Sequence, residues 1–146
     1  MHISIVTQDG DNVLSVPRFL KHLVAKWVDC EPVFYTLAAP WRRCNRYCES
    51  VYECVGCQDW RLGTVSDATL LRLDKQFVLN LKNTKQIIRT IEVRLKHGST
   101  DAREVHNWAA FLCMFVRACL ASTSTCTDYF DYADTRGPLP RLRPQR

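Results

Sequence analysis

The sequence predicts an α+β fold with a small mixed sheet, about three helices and an irregular loop stapled by zinc. Three observations support this prediction. Short segments alternate apolar and polar residues, longer segments repeat apolar residues at helical spacing, and four cysteines lie close together between them. The chain has 146 residues, 47% of them hydrophobic, which is enough for one domain with its own core. We expect this domain to span residues 1–127.

Turn residues and periodicity predict the N-terminal elements. Residues 2–7 alternate like a strand, residues 8–12 have turn composition, and residues 13–16 can return as a second strand, which predicts a hairpin. Pro17 suits the first turn of a helix, because its missing N–H needs no partner there. The apolar residues of this helix share one face: Phe19, Leu20, Leu23, Val24, Trp27 and Val28.

The middle of the chain combines short elements with a cysteine-rich segment. Residues 33–39, bounded by prolines, are predicted as a buried strand, and residues 41–60 as a largely irregular loop. Ser66 and Asp67 can cap a short helix at 68–73, and the alternation of apolar residues predicts a further strand at 77–81.

Two helices complete the predicted domain. The first begins at Asn83 or Thr84 and ends at Gly98, a residue that suits a helix C-terminus. Asp101 and Glu104 have the spacing of a capping box and open the last helix. The apolar face of this last helix makes it the expected central helix of the core: Val105, Trp108, Ala109, Leu112, Phe115, Val116 and Cys119.

Four cysteines form the most specific motif. Cys44, Cys48, Cys54 and Cys57 fall within 14 residues, and four thiolates can close a tetrahedral structural zinc site. Ordinary buried or free cysteines are the alternative interpretation, because the spacing matches no common zinc-finger pattern. One ligand can also be replaced by another nearby sulfur or imidazole: Cys30, His22, His97 or His106. Cys113, Cys119 and Cys126 are interpreted as core or free thiols.

Basic residues suggest a nucleic-acid partner, preferably RNA. Arg42, Arg43 and Arg46 lie beside Trp41 and Tyr47, a combination that can contact phosphates and stack on bases. A second group, expected on one stripe of the helix that follows Asn83, comprises Lys82, Lys85, Arg89 and Lys96. A solvated helix face is the alternative interpretation of that stripe.

The C-terminal segment differs in composition from the predicted domain. Residues 128–134 are acidic and aromatic, and residues 135–146 contain three prolines, four arginines and no acid. Those arginines, Arg136, Arg141, Arg143 and Arg146, account for four of the five net positive charges. We expect residues 128–146 to be a disordered tail that binds nucleic acid, directs nuclear import or only aids solubility.

Other function classes find no support in the sequence. No signal peptide is recognisable, and the longest apolar run, at 108–121, is shorter than the roughly 20 residues that span a bilayer. We therefore expect an intracellular protein, cytoplasmic or nuclear, that is neither secreted nor membrane-spanning. No phosphate-binding loop, zinc-protease motif or nucleophile elbow occurs in a convincing context, so we expect no enzyme.

In size, basic charge and cysteine clustering, the chain resembles the small cysteine-rich accessory proteins of viruses, among them the P1 proteins of sobemoviruses and other silencing suppressors. The resemblance implies a protein that binds zinc, often binds RNA or a host factor, and counters host defence. It assigns no role to any residue. The expected function is therefore that of a non-enzymatic zinc-binding regulatory protein that binds RNA or a host protein.

Two alternatives stay open at this point. The first is a protein–protein adaptor that acts through the first helix and the C-terminal tail. The second is a thiol or redox enzyme, which would require a cysteine of lowered pKa.

Overall fold

The structure is a computed structural model that describes residues 1–4, 6, 10–55, 66–70, 72–85 and 89–125. Three short strands form the sheet: β1 (His2–Ile3), β2 (Leu79–Asn80) and β3 (Ile91–Val93). The α-helices are α1 (Pro17–Thr36), α2 (Val51–Val55), α3 (Asp67–Leu70) and α4 (Ala102–Thr125). Short 3-10 helices lie at Val13–Ser15, Pro40–Arg42 and Lys82–Lys85. The α+β class predicted from the sequence is confirmed.

The sheet has the order β1-β3-β2, and both pairings are antiparallel, so it is an antiparallel sheet and not the mixed sheet that the sequence predicted. Ile3 lies opposite Ile91, and Leu79 lies opposite Val93. Parallel pairing occurs in the described part of the chain at an isolated bridge between Glu49 and Phe77. That bridge ties the cysteine-rich segment to the edge of the sheet.

Helices α1 and α4 pack together in antiparallel fashion. Near one end His22 is hydrogen-bonded to Ser122, and near the other the rings of Phe34 and Phe111 meet edge to face at 5.2 Å. Trp27 lies between these points and meets Phe115 at 5.8 Å. The apolar face predicted for α1 is buried, with Leu20 only partly covered.

The start of α1 and the N-terminal caps predicted for α3 and α4 are found in the structure. Pro17 is the first residue of α1, and the Asp101 carboxylate accepts hydrogen bonds from the amides of Arg103 and Glu104 at the start of α4. Ser66 accepts a hydrogen bond from the amide of Thr69 in α3. These bonds satisfy amides that have no partner within their own helix.

The strand predicted at 33–39 is wrong, because α1 continues through it to Thr36. Pro32 lies inside this helix, where proline ordinarily costs about 3 kcal/mol. Phe34 supplies the compensation: it is only 5% exposed and contacts Trp27 and Phe115 as well as Phe111. Aromatic packing therefore outweighs the local preference for an extended chain.

The helix predicted from Asn83 to Gly98 is also wrong. Lys82–Lys85 form a 3-10 turn, residues 86–88 lie outside the described residues, and the central strand β3 begins at Ile91. Ile91, Val93 and Leu95 are at most 2% exposed, whereas Glu92 and Arg94 between them are half-buried. This period of two is the pattern of a strand with one buried face.

The predicted N-terminal hairpin is reduced to one antiparallel bridge, between Val6 and Asn12. Residues 13–15 form a 3-10 turn capped by the Asn12 side chain, and β1 pairs with β3 instead of with them. The long-range pairing buries Ile3 in the core, which a local hairpin of this length does not provide.

One described stretch, Ala102–Thr123 in α4, has the length and mean hydropathy (1.3) of a membrane-spanning helix. Core helices of soluble proteins share these properties, so the finding is weak evidence for a membrane span. The predictions of an intracellular location and of no span stay predictions. The tail at 128–146 lies outside the described residues.

Candidate functional site

The segment that joins α1 to α2, residues 37–50, is irregular but firmly attached. Its Glu49 amide donates to the Gln76 carbonyl at 2.9 Å, and the Glu49 carbonyl accepts from the Val78 amide at 2.9 Å. Within the segment, the side-chain oxygen of Asn45 accepts from the Tyr47 amide at 2.8 Å. The sheet edge therefore fixes the backbone that presents Arg42, Arg43 and Arg46.

Arg42 points toward the protein and anchors this segment. Its Nε donates to the Leu95 carbonyl at 3.1 Å, and its Nη2 donates to the Arg94 carbonyl. Both carbonyls lie just beyond the end of β3. These guanidinium donors are engaged inside the protein, so phosphate contact by Arg42 stays a prediction that the geometry does not favour.

Four other side chains form what we call the arginine–aromatic surface: Trp41, Arg46, Tyr47 and Arg94. The Arg46 guanidinium lies over the Tyr47 ring at 4.9 Å, and that of Arg94 lies at 5.9 Å from the same ring. Tyr47 is 42% exposed and Trp41 is 63% exposed. An exposed Tyr47 ring with two guanidinium groups beside it makes this surface a candidate for ligand contact.

Charge on this surface is partly balanced by neighbouring acids. Arg94 pairs with Glu92 through Nε at 3.2 Å, and its Nη1 donates to the Lys75 carbonyl. Trp41 lies 5.7 Å from the His97 ring, and His97 in turn lies 3.5 Å from Glu104. Arg46, which has no such acid beside it in the described part of the chain, is the cation on this surface best placed to meet an anion.

The second basic group does not form the predicted helical stripe, because the helix that would carry it is absent. Lys82 and Lys85 lie exposed on a 3-10 turn. Arg89 has a positive φ of 45°, and its Nη1 donates to the Ser15 hydroxyl at 2.7 Å. Lys82, Lys85 and Arg89 precede β3, whereas Lys96 follows it and pairs with Glu104, so the predicted stripe is divided between the two ends of the central strand.

The four predicted zinc ligands are only partly described. Cys44 is exposed, and Cys48 is completely buried. Cys54 belongs to α2, but the structure does not describe its side chain. Cys57 lies outside the described residues. Among the residues that the structure describes, no three His, Cys, Asp or Glu side chains are grouped so that they could hold a metal ion.

Cys48 makes its contacts inside the protein. Its thiol donates to the Arg94 carbonyl at 3.0 Å, and burial raises its pKa, although Arg42 and Arg94 oppose the shift. Of the alternative ligands, His22 is engaged with Ser122, and His106 is exposed on α4.

A cavity of about 280 Å³ opens between the end of α1 and the start of α2. We call it the Glu31 pocket. Its polar and aromatic lining consists of Glu31, Tyr35, Arg43, Ser50, Tyr52 and Glu53. Arg43, predicted from the sequence as a nucleic-acid contact, lies over the Tyr35 ring at 5.8 Å and therefore belongs to this pocket.

Glu31 is a candidate site residue that the sequence analysis did not identify. It is only 1% exposed, and its Oε2 accepts hydrogen bonds from the Trp27 indole at 2.9 Å and from the Val51 amide at 3.2 Å. Burial raises the pKa of this carboxyl, while Ser50, Trp27 and the amides of Tyr52 and Val51 favour its charged form. The sequence signal for this residue is an acid four residues after Trp27, on the apolar face of α1, where a charged side chain needs a partner.

Comparison with known proteins yields no relative: no family model, no curated protein and no solved structure matches the chain.

Proposed function

We propose that this protein binds single-stranded RNA through the arginine–aromatic surface. The observation that carries the proposal is the position of Tyr47, an exposed ring held beside the guanidinium groups of Arg46 and Arg94. An exposed ring offers a face on which a base can stack, and arginine donates to phosphate oxygens. Trp41, the most exposed aromatic ring of the set, offers a second stacking face.

The attachment of residues 37–50 to the sheet supports the same proposal. Because Arg42 and Glu49 fix this segment, the side chains of Arg46 and Tyr47 are presented from an ordered backbone. Pre-organisation reduces the entropy that binding must overcome. The arginines of the tail, Arg136 to Arg146, would add phosphate contacts that do not depend on sequence.

The binding test uses the full-length protein and a fluorescently labelled single-stranded RNA in an anisotropy titration. Tyr47→Ala removes the stacking face and should weaken binding by about 1–3 kcal/mol, whereas Tyr47→Phe retains the face and should bind nearly as the wild type does. Arg117, an exposed arginine on α4, provides a matched control as Arg117→Gln.

Two results would argue against the proposal. Equal affinity of wild type and Tyr47→Ala for RNA would show that the arginine–aromatic surface does not contact the RNA. No RNA binding at low salt would refute a nucleic-acid partner. Recovery of one protein partner after nuclease treatment would then favour the adaptor alternative. An accessory role against host defence remains an expectation from the resemblance alone.

We also propose that zinc is a structural ion of the segment around α2. Cys44, Cys54 and Cys57 would be its ligands, with the fourth position filled by Cys48 after its thiol leaves the Arg94 carbonyl, or by a histidine. The support is the clustering of the four cysteines in the sequence. Metal analysis of the purified protein should find zinc, retained by Cys113→Ser and lost by Cys54→Ser; a wild-type protein without zinc would refute the proposal.

A further inference from the structure

A cleft beside the start of α1 lies at the opposite end of this helix from the Glu31 pocket. We call it the Lys85 cleft. Its volume is about 140 Å³, and four leucines form most of its apolar lining: Leu14, Leu20, Leu70 and Leu81. A cavity of roughly 150 Å³ is large enough to hold a benzene ring, so the Lys85 cleft is the size of one aromatic or large aliphatic side chain.

Basic side chains from the second predicted group lie at this cleft. Lys85 is exposed and belongs to the lining, and Arg89 donates to the hydroxyl of Ser15, another lining residue. The described lining contains no acid, and Lys85 pairs with no acid in the described part of the chain. An apolar ligand that also carries negative charge therefore matches the cleft better than a neutral or cationic one.

The hydroxyl groups of the lining are already engaged. Ser15 accepts from Arg89 at 2.7 Å, and Thr84 donates to the Leu81 carbonyl at 2.7 Å. A nucleobase would bury its polar edge against the leucines, and a buried polar group without a partner is costly. A phenyl ring carries no such group. The cleft therefore favours a hydrocarbon ring flanked by acids over a nucleotide.

The chain itself contains this combination. Residues 128–134, which we call the acidic–aromatic segment, have three aspartates and three aromatic residues, and Phe130 lies between Asp128 and Asp131. The segment thus offers a phenyl ring with a carboxylate on each side. Its charge is opposite to that of Lys85 and Arg89.

Helix α4 leads the chain to the right end of the molecule. Ser122 is hydrogen-bonded to His22, and Leu20 of the cleft lies two residues from His22, within one helix diameter of about 10–12 Å. The last residue of α4 is Thr125. The five residues from there to Phe130 can extend over about 17 Å, so the connection is long enough to reach the cleft.

We propose that the acidic–aromatic segment docks in the Lys85 cleft of its own chain. The Phe130 ring lies against the leucines, and the flanking aspartates face Lys85 and Arg89. The size of the cleft, its basic residues and the position at which α4 ends support this contact. The contact does not depend on RNA binding, because the arginine–aromatic surface uses other side chains.

The experiment observes the leucine methyl groups of the full-length protein by ¹³C NMR. Leu20→Ile assigns the methyl signals of Leu20, a half-buried residue of the cleft. We expect nuclear Overhauser contacts between these methyl groups and the Phe130 ring, and a change of their chemical shift in Phe130→Ala. Tyr47→Ala removes an exposed ring from the arginine–aromatic surface and should leave the Leu20 signals unchanged.

Three results would overturn the proposal. The first is the absence of contacts between the Phe130 ring and Leu20. The second is identical Leu20 signals in wild type and Phe130→Ala. The third is loss of the contacts on dilution, which would show that a second copy of the chain supplies the segment.

A peptide of residues 127–135, added to full-length Phe130→Ala, tests the chemistry of recognition. It should shift the Leu20 signals saturably, and the same peptide with asparagine in place of each aspartate should bind several-fold more weakly. A response to oligouridylate RNA instead of the peptide would assign the cleft to nucleic acid and overturn the proposal, as would equal affinity of the two peptides.

Charge variants in the same Phe130→Ala background locate the peptide. Lys85→Gln should weaken peptide binding several-fold. Arg117→Gln removes one exposed cation from α4, outside the cleft lining, and should leave the affinity unchanged. Equal weakening by both variants would indicate a general charge effect and would overturn the assignment to this cleft.

Discussion

The Trp27 indole donates a hydrogen bond to the Glu31 carboxylate one helical turn later, at 2.9 Å and out of contact with water. The same carboxylate oxygen accepts from the Val51 amide, which opens α2. A single buried acid thus joins the core of α1 to the short helix that carries Cys54. The stability of this region and the chemistry of the pocket depend on the same side chain.

Replacing Glu31 should destabilise the fold. Glu31→Ala leaves the Trp27 indole and the Val51 amide without an acceptor, and an unpaired buried donor costs about 1–3 kcal/mol. We expect a loss of about 2–4 kcal/mol in the free energy of unfolding, measured by urea denaturation at neutral pH. Glu53→Gln serves as the control and should stay within about 0.5 kcal/mol of the wild type. Identical denaturation curves for Glu31→Ala and wild type would contradict this role.

Packing at the end of α1 provides a second test. Phe34 is buried among Trp27, Phe111 and Phe115, so Phe34→Ala should cost about 3–5 kcal/mol. Its neighbour Val33 is 61% exposed, and Val33→Ala should change stability by less than about 0.5 kcal/mol. Comparable losses at both positions would contradict a helix in which residue 34 faces the core and residue 33 faces solvent.

His22 should make the fold sensitive to mild acid. Burial, and then the nearby Lys26 and Arg18, lower the pKa of this imidazole below its ordinary value of 6.5. A histidine with a lowered folded-state pKa binds its proton more tightly when the chain is unfolded, so stability is full above pH 6.5 and falls as the pH drops below it. Between pH 7 and pH 5, His22→Gln should therefore lose less stability than wild type. Parallel pH profiles would contradict the prediction.

The described cysteines should differ in reactivity. Cys44 and Cys113 are exposed, whereas burial raises the pKa of Cys48 and raises that of Cys119 to about 12. Because the thiolate is the reactive form, an alkylating reagent should modify the exposed pair first in protein freed of zinc, and Cys48 and Cys119 only after unfolding. Peptide mass spectrometry over time measures the order. Rapid modification of Cys48 in the native protein would show that its thiol does not stay against the Arg94 carbonyl.

The helices that the sequence predicted correctly have an unambiguous apolar period and a recognisable first turn. Helix α1 begins at Pro17 without a side-chain cap, and α4 follows Asp101, whose carboxylate caps it. In a capping box the Glu104 carboxylate would accept a hydrogen bond from the Asp101 amide, but here it pairs with Lys96 instead. Local signals therefore located both long helices without determining every side-chain partner.

The errors have a tertiary origin. Ile91 and Leu95 are four residues apart and fit a helix, but with Val93 between them they also fit a strand, and only pairing with Ile3 and Leu79 distinguishes the two. For the candidate site, the sequence indicated Arg46 and Tyr47 because they are adjacent. It could not show that Arg94 joins them, since β3 had to form first.

The most direct test of the central claim compares the salt dependence of RNA binding by wild type, Arg46→Gln and Arg117→Gln. Each phosphate contact on a single strand contributes about 0.7 to the slope of log affinity against log salt. If Arg46 meets a phosphate, Arg46→Gln should lower the magnitude of the slope by about 0.7, while Arg117→Gln should reproduce the wild-type slope. Equal slopes for wild type and Arg46→Gln would contradict the account.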